Sequence, residues 1–352
     1  MKEEPRLSSL QCPLPLGDYP SVLLGHGGGG RLMHELISKV FRPALSDPSV
    51  DRQHDGAELS VGGARLAFTT DSFVVQPRFF PGGDIGRLAV FGTTNDLAMC
   101  GARPCWLSAA LIIEEGLAME ELWTTVQSMK NAAAEAAVSF VTGDTKVVDR
   151  GKGDGLFINT TGIGLIEHEQ EIGPGSIRTG DVCIVSGDIG RHGIAIMNAR
   201  ASLELESGIE SDLCALTPPV LRLLEEGIRI HCMRDLTRGG LASALIELAE
   251  ASALHIHIRE SHLPVREDVR AACELLGLDP VYVANEGCFA LIVPEADAGR
   301  SLEILRSWQG NDCPCIIGEV DDRRSGTVTI ESRIGIDRRL DMLSGDQLPR
   351  IC

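Results

Sequence analysis

The sequence predicts an α+β protein of two units followed by an extended tail, and three features carry that reading. Stretches rich in β-branched and aromatic residues alternate with helical periodicity on both sides of a turn-rich break, "GPGSIRTGD" at Gly173–Asp181. At 352 residues the chain exceeds the size at which a single core stops growing. From about Gly335 it becomes charged, is punctuated by Gly and Pro, and finishes on a cysteine, "GDQLPRIC". The expected organisation is a variable leader over 1–20, a first unit over 21–172, a second over 173–334 and a mobile tail over 335–352.

In the first unit, "SVLLGHGGGGRLMHELISKVF" reads as a short apolar stretch, a glycine run and an amphipathic helix. "ARLAFTTDSFVV" reads as a strand and "DIGRLAVFGTTNDLAMCG" as a buried helix ending at Gly101. "CWLSAALII" is a strand and "MEELWTTVQSMKNAAAEAA" an amphipathic helix. Two more strands, "SFVTGDTKVV" and "GLFINTTGIGLI", are expected to form a hairpin through "DRGKGDG", with the helices packed on one face of the sheet. Beyond the break the strand "VCIVSG" leads into several helices. Strands are then expected around "HIHIRE", "VYVANEG", "CFALIVP" and "CIIGEV".

Composition excludes several function classes. There are 50 acidic against 32 basic residues, a net charge of −18, which argues against a surface that tracks nucleic-acid phosphates. No apolar run reaches membrane-spanning length, and "MKEEPRLSSL" lacks the basic start and apolar core of a signal peptide, so a soluble, cytoplasmic protein is expected. The 11 cysteines are scattered, odd in number and mostly set in apolar surroundings, which reads as reduced, inert thiols. The Cys313–Cys315 pair has no partner pair at zinc spacing and suits a strand. Only Cys352 lacks a packing explanation.

Chemistry concentrates in a few short stretches. The glycines of "GHGGGG" (Gly27, Gly28, Gly29 and Gly30 among them) can turn backbone N–H groups toward an anion, although neither the Walker nor the G-x-G-x-x-G spacing is present. Asp71, Asp96, Asp144 and Asp235 interrupt or end apolar elements, and Asp84 opens a helix. A cap or an ion pair explains each acid singly, whereas magnesium held by carboxylates and nucleotide phosphates explains the set. Lys146 and Glu286, each in an apolar stretch, read either as halves of structural ion pairs or as proton-transfer groups. His192 in "GRHGIAI" reads either as a phosphate contact or as a hydrogen-bonded core histidine.

Taken together, "GHGGGG", "FTTDSFVVQPRFFPGGDIGRLAV", "NDLAMCGARP", "TGDTKVVDRGKGDGLFINTTGIG", "SGDIGRHGIAI", "MRDLTRGGLA", "NEG" and "PRIC" resemble the HypE family of hydrogenase-maturation carbamoyl dehydratases. That family is a branch of the aminoimidazole-ribonucleotide-synthetase-like (PurM-like) ATP-binding superfamily. The resemblance runs from about Val22 to Cys352; "TGDTKVV" and "PRIC" point to the branch, and the acid-rich motifs to the superfamily. It implies a PurM-like fold whose N-terminal sheets pair across a homodimer into a barrel, with ATP near the interface. It also implies ATP-dependent dehydration of an S-carboxamide on Cys352 to an S-cyanide destined for the iron of a [NiFe]-hydrogenase. Asp71, Asp96 and Asp235 match magnesium-ligand motifs, and Asp84, Asn95, Asp144 and Thr145 match further nucleotide-site positions. Lys146 and Glu286 match residues near the reacting carbamoyl group. The implied partners are the carbamoyltransferase HypF and the HypC–HypD iron scaffold.

The expected chemistry is attack of the carbamoyl oxygen on the ATP γ-phosphoryl, which turns a poor leaving group into phosphate, with Glu286 or Lys146 removing N–H protons. Counted from Asp337, the 16 residues of the tail could span roughly 50 Å, enough to visit a partner and return. Two other readings compete. One is a small-molecule kinase or synthetase of the same superfamily, acting on selenium or thiamin phosphate chemistry. The other is a carrier that only holds the one-carbon group.

Overall fold

The computed structural model describes residues 21–45, 47, 53–201, 208–308, 313–343 and 351–352. The expected leader 1–20, and Pro349 and Arg350 of the tail, lie outside them.

A 3-10 turn, Leu24–Gly27, precedes α1 (Arg31–Leu36), a π turn (Ile37–Phe41) and α2 (Arg42–Leu45). The first unit continues with β1 (Ala57–Val61), β2 (Ala64–Phe73) and the small hairpin β3 (Phe79–Phe80) and β4 (Gly83–Asp84). Next come α3 (Ile85–Met99), β5 (Arg103–Glu114), α4 (Met119–Glu135), β6 (Ser139–Val148) and β7 (Leu156–Ile166). Both helices are on one face of a five-stranded sheet ordered β1-β2-β7-β5-β6.

The order corrects the expected hairpin. β6 runs parallel to β5, and β7 returns to insert between β2 and β5, so the strands flanking "DRGKGDG" are not neighbours. The turn residues were read correctly as a reversal; which strand accepts the returning chain is decided by pairing with β2, more than 80 residues upstream. β6 is left as an edge strand with both faces exposed.

Helix α3 holds the molecule together. Asp84 caps it, accepting from Gly86 N at 2.8 Å and Arg87 N at 3.1 Å, while Ser128 donates to its other oxygen at 2.7 Å. The N-cap reading of Asp84 is therefore the structural one, and Asp84 does not line the cleft described below. Nearly every α3 side chain is buried, because the helix packs on the sheet, on α4 and on the second unit.

The second unit contains β8 (Asp181–Val185), α5 (Arg191–Ala201), α6 (Thr217–Glu225), β9 (Cys232–Asp235), α7 (Gly240–Ser252) and β10 (His255–Arg259). It continues through α8 (Glu267–Leu276), β11 (Phe289–Pro294), α9 (Glu295–Ser307), β12 (Cys315–Asp321), β13 (Thr327–Glu331) and β14 (Asp337–Leu340). The strands form one sheet, ordered β14-β13-β10-β12-β8-β11-β9. α7 shares one core with this sheet, and α6 and α9 pack against the opposite side.

Two expectations fail here. "VYVANEG" is not a strand: Pro280–Tyr282 is a 3-10 turn and the rest an irregular loop, fixed by Asn285 donating to Leu236 O at 3.0 Å and accepting from Gly190 N at 2.6 Å. The tail is shorter than expected, because Asp337–Leu340 pairs with β13 and the Leu343 carbonyl accepts from Arg31 N at 2.8 Å. The arm left beyond that anchor, 344–352, is nine residues and can span about 30 Å.

Candidate active site

Between the glycine run, β2, α3 and the start of α7 lies a cleft of about 520 Å³. Gly29 and Gly30 form one lip, with Met33, His34 and Ile37 of the first helical segment behind them. Asp71, Asp96 and Asp235 line the floor, joined by Asp55, which the sequence reading did not single out.

Each acid is delivered by a different element: Asp55 by the approach to β1, Asp71 by β2, Asp96 by α3 and Asp235 by the last position of β9. Oxygen atoms of Asp55, Asp96 and Asp235 all lie within 4.8 Å of one another. Burial and mutual repulsion push the Asp55 and Asp96 carboxyls well above the usual carboxylate range; Asp235 is pushed up to about 6, chiefly by burial. Two cations work against this, Arg234 and Arg238. Arg234 lies 2.9 Å from Asp55 and also pairs with Glu247. Four carboxylates with only two adjacent guanidinium groups fit a hard divalent cation, which takes oxygen ligands.

Arg238 closes the site from the other side. It donates to Gly27 O at 3.4 Å and lies 3.7 Å from Asp71. The glycine lip packs directly on it: Gly29 has φ +74°, and a Cβ there would sit 2.7 Å from the Arg238 carbonyl carbon. Ser243 of α7 donates to Gly29 O at 3.1 Å, so the lip is tied to the second unit. Gly239, at φ +81°, allows the tight entry into α7, where a Cβ would meet Ser243 Oγ at 2.2 Å.

Cys352 and Glu286 do not line the cleft, but charges of residues that do act on both. The Cys352 thiol is within electrostatic reach of Arg238, Glu286, Asp71 and Asp235, and burial with those acids pushes it far above an ordinary cysteine. Glu286 is buried at 3% exposure, its Oε1 has no hydrogen-bond partner among the described residues, and burial with Asp235, Asp212 and Asp71 pushes it well up. Asp212 aims it, accepting from Glu286 N at 3.1 Å and Gly287 N at 3.0 Å.

Other expected site residues stand elsewhere. Asn95 spends its side chain on backbone, donating to Cys214 O at 3.0 Å and accepting from Leu216 N at 2.8 Å, so it braces α3 instead of facing the cleft. Asp144, Thr145 and Lys146 are on the exposed strand β6, where Lys146 pairs with Asp144 at 3.0 Å, and none of the three lines the cleft. Gly27 and Gly28 belong to the lip, but only Gly29 and Gly30 line the cleft. His192 contacts no cleft residue; it is buried and hydrogen-bonded to Ser211 and Ile351. Asp55 and Arg238 were missed, though "HDGAEL" does place an acid before glycine at the mouth of a strand, and Arg238 shares its motif with Asp235.

Comparison with known proteins fits this geometry. Residues 53–166 match the family profile "AIR synthase related protein, N-terminal domain" and residues 178–331 its C-terminal counterpart. The chain is 48% identical over 333 residues to the carbamoyl dehydratase HypE of Rhodobacter capsulatus, covering 94% of this chain and 98% of that one. A crystal structure of HypE in complex with ATP superposes with a TM-score of 0.80 at 46% identity, covering 94% of this chain and 100% of the other. HypE from a HypE–HypF complex gives a TM-score of 0.83 at 44% identity, covering 88% and 99%.

Proposed function

The chain belongs to the carbamoyl dehydratase HypE family, and on that premise we propose that Cys352 carries the substrate into the cleft of its own chain. The reaction is ATP-dependent conversion of an S-carboxamide to an S-cyanide, in the service of [NiFe]-hydrogenase maturation. What supports this reading is a carboxylate-lined cleft with Gly29, Gly30 and Arg238 at its lip, whose Arg238, Asp71 and Asp235 charges act on both Cys352 and Glu286.

The carbamoyl oxygen attacks the γ-phosphorus of ATP, forming a C–O–P linkage and releasing ADP. The C–O bond then breaks, phosphate leaves with that oxygen, and the carbon–nitrogen bond becomes triple as both N–H protons are lost. One proton ends on phosphate and one goes to solvent. Glu286 is the proposed base: a carboxyl pushed up by burial is a stronger base once ionised than an exposed one, and its Oε1 is unengaged. Arg238 faces the developing negative charge, and the Gly29–Gly30 lip offers backbone to the phosphates. Asp55, Asp71, Asp96 and Asp235 would hold magnesium, which when bound neutralises phosphate charge.

Lys146 joins the site only in a homodimer. β6 is a ten-residue edge strand with Val141 and Val147 exposed, and the open face of its sheet shows Phe68, Trp106 and Ile112. Such an edge and such a face call for a cover, which a second copy supplies by pairing sheet to sheet. HypF is the proposed carbamoyl donor to the arm and the HypC–HypD complex the acceptor of cyanide, since the nine-residue arm can leave the cleft and return.

Intact mass after incubating S-carbamoylated protein with Mg-ATP tests the reading. Loss of one water with stoichiometric ADP is the expected result. An unchanged mass with nucleotide bound would make the protein a carrier, and full turnover on a diffusible acceptor after deleting Cys352 would make it a small-molecule kinase.

A further inference from the structure

We infer that His192 and Ser211 form a latch that grips the main chain of the arm immediately before Cys352, making them positioning residues for the reaction. The inference rests on the dehydratase reading above for its purpose, but not for its geometry.

The hydrogen bonds run in one direction only. Leu213 N–H can only donate, and it does so to Ser211 Oγ at 3.1 Å. That bond alone leaves Ser211 Oγ able to donate or accept, and the Ile351 carbonyl decides: it is an obligate acceptor 2.6 Å from His192 Nε2, which therefore carries the ring proton. Nδ1 of the neutral ring then accepts from Ser211 Oγ at 2.8 Å. His192 is fully buried, and burial pulls it down to about 4, so the ring is neutral at physiological pH and the tautomer is set by this relay.

The latch is held rigid from both units. Phe80 of β3 packs edge-on against the imidazole at 5.5 Å between centroids, and Ser211 N–H donates to Pro81 O at 2.9 Å. Ile351 is 4% exposed and belongs to the core cluster that includes Phe80, Ile194 and Ala284. His192 thus spends its buried Nε2–H on the carbonyl of Ile351, which seven residues separate from Leu343.

Its effect follows from peptide planarity. The Ile351 carbonyl is in the same plane as Cys352 N and Cα, so fixing the oxygen fixes the direction in which Cys352 leaves the chain. One neutral hydrogen bond and one apolar side chain thus hold Cys352 where the charges of Arg238 and Glu286 act on it, and can release it again. The latch itself recognises the backbone and the apolar side chain at 351.

The test is the rate at which N-ethylmaleimide modifies Cys352, read from the mass of the C-terminal proteolytic fragment, with no nucleotide and no carbamoyl group present. Wild type is expected to react slowly. H192A and I351D should react about tenfold faster, the loss of one hydrogen bond or one buried side chain from the docked state, with S211A intermediate and H192Q partly restored. Melting curves report folding; if H192A does not fold, S211A replaces it. Wild-type rates in the folded latch variants would overturn the inference, and so would acceleration confined to I351D, which would leave an apolar socket alone. Because labelling needs no ATP, a protein that labels as expected yet forms no nitrile would refute the dehydratase reading and leave the latch standing. The converse result would refute only the latch.

Discussion

Arg234 stands 2.9 Å from Asp55, one of three carboxylates brought together by the approach to β1, α3 and β9. The pair links the end of β9 to the approach of β1, so the charge balance of the cleft also joins the two units.

Removing that cation exposes the cost of the arrangement. R234M should destabilise the apo protein by about 3–5 kcal/mol, because it leaves Asp55 and Glu247 without their partner. Added magnesium should recover part of the loss. Thermal melts with and without Mg²⁺ check both statements, and equal melting of R234M and wild type would contradict them.

The pH dependence should be inverted relative to ordinary acid denaturation. Asp235 is raised to about 6 from a value near 4, and Asp55, Asp96 and Glu286 are raised as well. Each of these carboxyls binds more protons in the folded than in the unfolded protein across that interval, so each adds stability to the apo form as pH falls from 7 toward 4 and loses it as pH rises through 6. His192 and His168, which burial pulls down, oppose them below about 6.5, so H192Q should steepen the gain on acidification. Magnesium, which needs the ionised carboxylates, should flatten this slope above pH 6 and bind more weakly below it. Denaturant melts across pH, repeated with Mg²⁺, read the sign directly.

Gly29→Ala should impair nucleotide binding more than folding. The left-handed φ and the 2.7 Å approach to Arg238 mean the lip must shift, costing roughly 1–3 kcal/mol at the site. ATP affinity by calorimetry should fall, with the melting temperature moving by only a few degrees.

Glu286→Gln keeps shape and removes the base. Single-turnover dehydration should slow by about 10²- to 10⁴-fold while ATP binding persists. Wild-type kinetics would return the role to Lys146 and place the reaction across two chains.

The exposed strand β6 makes a separate prediction. V141D together with V147D should shift the protein toward monomer in sedimentation and reduce turnover if Lys146 is delivered by a second copy. A monomeric variant with full activity would remove Lys146 from the chemistry.

Much of this was legible in the chain itself. The long strands and helices from Ala64 to Ile166 are where periodicity and turn residues put them, because φ preferences and the alternation of apolar positions are local properties; the two-residue strands β3 and β4 gave no such pattern. Asp84 could be read as a cap from "GGDIG", and Asp71, Asp96 and Asp235 as a set from their apolar settings. Asp55 was not, since its role depends on elements far apart in sequence. Asn95 was misassigned because an amide beside an acidic ligand looks the same whether it faces a nucleotide or a backbone carbonyl.

Local residue patterns set the classes of most elements and marked Asp71, Asp96, Asp235 and the Gly29–Gly30 pair that the cleft gathers. Tertiary structure decided which strand enters between which, that β14 shortens the arm, that Lys146 stands apart in one chain, and that His192 faces Ile351. Those outcomes depend on long-range pairing and on competition for buried hydrogen-bond partners, which no local window of residues contains.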